Sequence, residues 1–260
     1  MNSKKEVLIR LGTSLSGLFV VVAVWQFLGM RNALPVSVAS PSQIVDEMTE
    51  RFDTLWFHAG PTVSASLWGF FWATVASFVV ASVIVLVPHT AGSLYNTAVV
   101  ASSIPLIALT PVLVFWFERG PTVRIIVAAV AGFFPILVGC IQGLGRADKA
   151  TDELFTQIAA NKRQRFFHLS LPRSLPYIFA GMKAAAAAAV LGAVIAEWAG
   201  GGGTRGLGQM MTNALFGFNV PLTWLTILTT AALSLAAYGA IALIERLVVR
   251  WDIDENELAL

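Results

Sequence analysis

Residues 123–142, VRIIVAAVAGFFPILVGCIQ, and residues 178–198, IFAGMKAAAAAAVLGAVIAEW, are continuous apolar runs that flank a long charged stretch, RADKATDELFTQIAANKRQRFFHLSLPRSLP (146–176). A helix rises about 1.5 Å per residue and the hydrocarbon core of a bilayer is about 30 Å thick, so about 20 apolar residues cross it. The unit therefore reads as two membrane spans joined by a loop displayed in water.

Working outward, the same pattern recurs. Further apolar segments run from Val7 to Met30, Val63 to Val87, Leu94 to Phe117 and Leu222 to Ile244, with Pro or Gly near most edges. The expectation is an all-α, polytopic membrane protein with six transmembrane helices, residues 1–260 forming a single transmembrane domain with its charged loop at 143–175. Continuous apolar runs exclude a β-barrel, whose strands alternate in polarity. The chain is 57% apolar and 12% charged, whereas soluble domains carry about 25% charged residues, which excludes an ordinary soluble protein. The first segment exceeds the apolar core of a signal peptide, about 7 to 15 residues, and reads as a retained anchor.

Lys4, Lys5, Arg10, the basic residues of the 143–175 loop, Arg246 and Arg250 share one side of a six-span chain, against Arg31, Arg51, Arg119, Arg124 and Arg205 on the other. The positive-inside rule then puts both termini and the loop in the cytoplasm. Basic residues set beside apolar segments mark membrane lipid and orientation, not nucleic acid. Residues 40–60 carry Ile44, Met48, Phe52, Leu55 and Trp56 at helical spacing, and read either as a short interfacial helix outside the membrane, capped by Ser42, or as a plain connection.

Two spans carry small residues at every fourth position: Ala65, Gly69, Ala73, Ser77 and Ala81 in the second, and Ala180, Ala184, Ala188, Gly192 and Ala196 in the fifth. Between helices in lipid, close van der Waals contact does the work, so both ridges are expected to be buried. Pro105 and Pro111 interrupt the third span and Pro135 the fourth. Each removes a helix hydrogen bond, which fits either a kink beside an internal cavity or plain bending.

The chain has no G-x4-G-K-[ST] phosphate loop, so any ATP used is bound by another subunit. His58, His89 and His168 are scattered, and the single Cys140 lies inside a span, so no metal or nucleophile constellation is expected and the chain binds no cofactor of its own. Lys183 and Glu197 are two ionisable residues inside the fifth span. Lys183 can snorkel to the cytoplasmic interface. Glu197 precedes Trp198 and a glycine cluster, Gly200 to Gly203 then Gly206-Leu207-Gly208. It either faces an internal path through the protein as a ligand contact or gate, or sits at the interface beside an aromatic-belt Trp198.

In the charged loop, residues 149–160 suit a short helix, with Leu154, Phe155 and Ile158 as an apolar face that can enter a partner's groove. Leu171-Pro172 and Pro176 are expected to stop helical structure before the fifth span. A basic loop lying on anionic lipid is the alternative. Glu153, Ala159, Leu169, Leu171 and Pro172 reproduce the frame E-x5-small-x9-aliphatic-x-L-P, which resembles the cytoplasmic coupling loop of ABC importer permeases.

Other segments extend the resemblance over most of the chain. Leu34-Pro35 with Ser40-Pro41-Ser42, Ile104-Pro105 through Leu109, Pro111 and Phe115-Trp116-Phe117, then Phe134-Pro135 and Gly206-Leu207-Gly208 resemble the nitrate/sulfonate/taurine branch of the binding-protein-dependent transport inner-membrane component family. Leu154 and Phe155 stand where the family usually has two alanines, and Ala159 where it has glycine.

The resemblance implies a type I ABC importer-like fold and a non-enzymatic permease of the bacterial cytoplasmic membrane. It would work with two ATPase subunits that hold ATP and Mg, a second permease copy in a homodimer, and an external substrate-binding protein. Glu153, Leu154, Phe155, Ile158, Ala159, Ala160, Leu171 and Pro172 would take in the ATPase motion. Glu197, Trp198, Pro105, Pro111, Trp116 and Phe134 would belong to the path or its gate. The Ala196-Glu197-Trp198 and Gly206-Leu207-Gly208 pair resembles permeases for thiamine precursors, and the aromatics suit a flat pyrimidine, while sulfonates, taurine, nitrate and other small anions stay open. An ion-coupled secondary carrier and a membrane scaffold are the competing classes.

Overall fold

The computed structural model describes residues 2–86, 100, 102–145, 155, 157 and 160–249. Regular structure among them is helical, with no strand. The helices are α1 (Asn2–Met30), α2 (Pro41–Glu50), α3 (Phe52–Leu86), α4 (Leu106–Phe117), α5 (Pro121–Gly145), α6 (Leu171–Trp198), α7 (Leu207–Phe216) and α8 (Val220–Val248). Four stretches are long and apolar enough to cross a membrane: Phe52–Ile84, Pro121–Leu144, Phe167–Trp198 and Val220–Val248. Helix α1 covers the first expected span, and the third appears in part as the shorter apolar helix Leu106–Phe117. Part of the expected third span, residues 94–99 and 101, lies outside the described residues.

The core is the α3–α5–α6 triplet, packed through small residues. Ala73, Ala81, Ile136, Leu137, Cys140, Ile178 and Ala185 form one buried cluster. A β-carbon on Gly181 would meet the Pro135 carbonyl, and one on Gly139 would meet that of Tyr177, so α5 and α6 touch backbone to backbone. This is the close approach that association in lipid requires. The expected α3 ridge is buried as read, with Ala65, Ala73, Ser77 and Ala81 each 2% exposed or less.

The expected α6 ridge is buried at Gly192 and Ala196, while over its earlier part the buried face is shifted by one residue. Ala180 and Ala184 are exposed, and the buried row is Gly181, Ala185, Ala189, Gly192, Ala193 and Ala196. An uninterrupted alanine run from 184 to 189 has no period of its own, so its inward face is set by α5 and not by composition.

Three boundaries also differ from expectation. Residues from Phe52 belong to the long α3, which continues through Pro61, and only Pro41–Glu50 forms the separate short helix. Its cap is Ser40, not Ser42, in a capping box with Gln43. Ser42 instead exchanges hydrogen bonds with Gln26 of α1, both at 3.0 Å. Leu171-Pro172 does not stop the helix: a turn at Lys162–Arg165 passes through a π-helical turn, Phe166–Ser170, directly into α6. Pro172 sits in the first turn of α6, where its missing N–H costs least.

Lys183 meets an acid on α8. Its Nζ lies 2.7 Å from Glu245 Oε2 of α8, and it approaches the Tyr238 ring at 5.9 Å. The pair joins α6 to α8, and each side chain is about a fifth exposed.

Candidate functional site

The densest polar constellation among the described residues lies at the Trp198 end of α6. Glu197 is fully buried. Its carboxylate accepts from Thr62 Oγ1 of α3, 2.9 Å from either oxygen, and from the Gly208 N–H of α7 at 2.9 Å. Arg124 Nη1 of α5 stands 3.4 Å away and donates to the Arg205 carbonyl at 2.8 Å. Thr62 Oγ1 also accepts from the Leu207 N–H at 3.0 Å. One turn before it on α3, His58 Nδ1 lies 3.0 Å from the Gly206 carbonyl and 3.2 Å from the Gly206 nitrogen.

A buried carboxylate is tolerated only when it is paired and hydrogen-bonded, and here donors from three helices meet that requirement. The result is a clamp that fixes the 199–206 segment and the first turn of α7 onto α3 and α5. The glycines serve this contact. A β-carbon on Gly202, Gly206 or Gly208 would run into Glu197, and Gly206 also has a φ of +141°. Gly120 N–H donates to the Gly201 carbonyl at 2.9 Å, and a β-carbon on Gly201 would meet Thr110 of α4 and Val123 of α5. Gly201, Gly202, Gly206 and Gly208 are thus packed closely against their neighbours, while Gly200 and Gly203 have open space and positive φ.

The other path candidates are dispersed. Pro105 precedes α4 and Pro111 lies within it, both exposed, while Trp116 is 67% exposed near its end. Phe134 packs against the α3–α5–α6 core. Trp198 is 43% exposed, and no ring contact joins it to Trp116 or Phe134 among the described residues.

Of the coupling-loop candidates, Glu153, Leu154, Ile158 and Ala159 lie outside the described residues. Phe155 is half-buried, and its carbonyl accepts from the Ala160 N–H at 3.0 Å. Leu171 and Pro172 are half-buried in the first turn of α6.

Thr62, Arg124 and His58 were not singled out from sequence. A signal existed for Arg124. It lies at the start of one apolar run and Glu197 at the end of the next, so two charges of opposite sign fall at one end of adjacent antiparallel helices.

The profile of the family described as binding-protein-dependent transport system inner membrane component matches residues 74–250. The chain is 28% identical to the formylaminopyrimidine transport permease protein of Halalkalibacterium halodurans, over 89% of this chain and 92% of that one. It is also 28% identical to the riboflavin transport system permease protein of Chloroflexus aurantiacus, over 90% and 88% respectively. With the taurine transport system permease protein of Escherichia coli the identity is 24%, over 81% of this chain and 77% of that one.

Proposed function

The chain belongs to the binding-protein-dependent transport system inner membrane component family, and from this membership we propose that it is the permease subunit of an ATP-driven importer. Residues 1–260 form one permease domain with cytoplasmic termini and a cytoplasmic 143–175 loop. Two copies pair with two ATPase subunits, which hold ATP and Mg, and receive substrate from an external binding protein. The permease itself catalyses no bond change.

The observation that carries this reading is the continuity of α6. Its 28 residues extend about 42 Å, from the end of the charged loop to Glu197. Glu153, Leu154, Phe155, Ile158, Ala159 and Ala160 dock on the ATPase, and Leu171-Pro172 passes the motion into α6. A displacement at the cytoplasmic end then reaches the external mouth through one helix. Glu197 acts there from inside the wall, holding the parts of the mouth in register, while Pro105, Pro111, Trp116, Phe134 and Trp198 border the path. The relatives named for formylaminopyrimidine and riboflavin support a flat nitrogen heterocycle as the substrate over a small anion.

The test is reconstitution with an ATPase subunit that co-purifies with it and a substrate-binding protein. Uptake that is abolished by vanadate and indifferent to a protonophore is expected. Uptake without any ATPase, collapsed by the protonophore, would establish an ion-coupled carrier instead.

A further inference from the structure

We propose that the exposed face of α7, centred on Gln209 and Asn213, is a substrate-contacting surface of the transport path. It would take a neutral molecule that offers a hydrogen-bond donor beside an acceptor, as in a lactam or aminopyrimidine ring. The proposal rests on the permease reading above and adds to it a site and a ligand chemistry.

Helix α7 has two unlike faces. Leu207, Met210 and Ala214 are buried in a cluster with Leu55, Ala59 and Val194. The opposite face carries Gln209, Asn213 and, a turn further on, the 82% exposed Phe216. Residues 207–218, LGQMMTNALFGF, contain no charge at all. A helix lying among lipid headgroups carries Lys or Arg on its polar face, so an uncharged amide face fits a cavity wall better than a lipid interface.

The amides are already aligned with each other. Gln209 Nε2 donates to Asn213 Oδ1 at 3.1 Å, which leaves the Gln209 oxygen as acceptor and the Asn213 NH₂ as donor with no protein partner among the described residues. Exchanging oxygen and nitrogen in both amides gives the same inventory, one donor and one acceptor side by side. Phe216 supplies an aromatic surface on the same face.

The helix that presents this edge is held rigidly. The backbone N–H groups of Gly206, Leu207 and Gly208 are bound by His58, Thr62 and Glu197, so the amide face is positioned before any ligand arrives. The surrounding charges do not favour an anion. Arg124 and Glu197 are paired, and Glu47 is engaged by Arg51 and Asn219. Arg205 is the exception: its guanidinium stacks 3.5 Å over the Phe57 ring and stays exposed, which makes it the rival contact for an acidic ligand.

The experiment measures uptake of radiolabelled formylaminopyrimidine, riboflavin and taurine by the reconstituted complex carrying Gln209→Leu, Asn213→Leu or Arg205→Gln, with co-purification of the ATPase as the assembly control. A rise of at least about tenfold in KM for a heterocycle in both amide variants, with assembly retained, is expected. Wild-type uptake of a heterocycle that both amide variants leave unchanged would overturn the site while the permease reading stands. So would uptake of taurine alone, lost in Arg205→Gln. A disulfide between copies through Asn213→Cys would make this face a contact between subunits and would likewise overturn it. Failure of the wild-type chain to associate with any ATPase is the separate result that removes the permease reading, and the site with it.

Discussion

Thr62 on α3 and Glu197 on α6 meet through a hydroxyl that lies 2.9 Å from both carboxylate oxygens, across 135 residues of sequence. The same hydroxyl accepts the Leu207 N–H, so one threonine joins the end of α6 to the start of α7.

Removing the carboxylate while leaving its partners in place should therefore be costly. Glu197→Leu strands Arg124 in the interior, a situation that typically costs about 3–5 kcal/mol. Glu197→Gln keeps the shape but turns an NH₂ towards a donor, and Thr62→Val removes one hydroxyl, each costing about 1–3 kcal/mol. Thermal unfolding of the purified protein should rank them Leu below Gln and Val. Equal midpoints for wild type and Glu197→Leu would dismiss the clamp.

Gly206→Ala is expected to be as disruptive as losing Glu197 itself. A methyl there meets the carboxylate, and the φ of +141° is one that L side chains rarely adopt. Gly17, which has open space around its α-carbon, is the matched control. Folded yield after detergent extraction should separate the two, and comparable yields would contradict the packing.

Lys183 and Glu245 should behave as a coupled pair. Lys183→Met or Glu245→Gln alone is expected to lower the unfolding midpoint, and the double substitution to cost less than the sum, with a coupling of about 0.5–3 kcal/mol. Additive effects would mean that the 2.7 Å contact contributes nothing.

Reversing Glu153 to Lys, or replacing Leu154 and Phe155 by Lys, should leave the protein inserted but weaken its association with the ATPase. Unchanged co-purification and uptake in both variants would end the docking role.

Orientation can be read by single cysteines on a Cys140→Ala background. Position 162 should resist an impermeant thiol reagent applied to intact cells and react once the membrane is opened. Labelling from outside would invert the topology inferred from the basic residues.

The spans were legible because membrane crossing depends on length and apolarity, which are properties of local sequence. The α3 ridge was legible for a similar reason, since Gly69 and Ser77 interrupt bulkier neighbours and give the face a phase. The earlier part of the α6 ridge was not, because six alanines in succession look the same from every side. Glu197 stood out as an acid in an apolar run, but Thr62 is distant in sequence and ordinary in its local context, and Arg124 is a charge at a span end like the other arginines counted for orientation. The glycines beside it suggested flexibility. Only the three-dimensional arrangement shows that Gly202, Gly206 and Gly208 are small because Glu197 lies against them.

The clamp also fixes an order of events during synthesis. Arg124 precedes Glu197 by 73 residues, so at about 5–20 residues per second helix α5 emerges roughly 4 to 15 s before its counter-charge exists. During that interval the arginine has to be accommodated by water or lipid phosphate. A nascent chain stalled short of residue 197 should therefore hold α5 shallower in the bilayer than the finished protein does, and the arrival of α6 should draw it in.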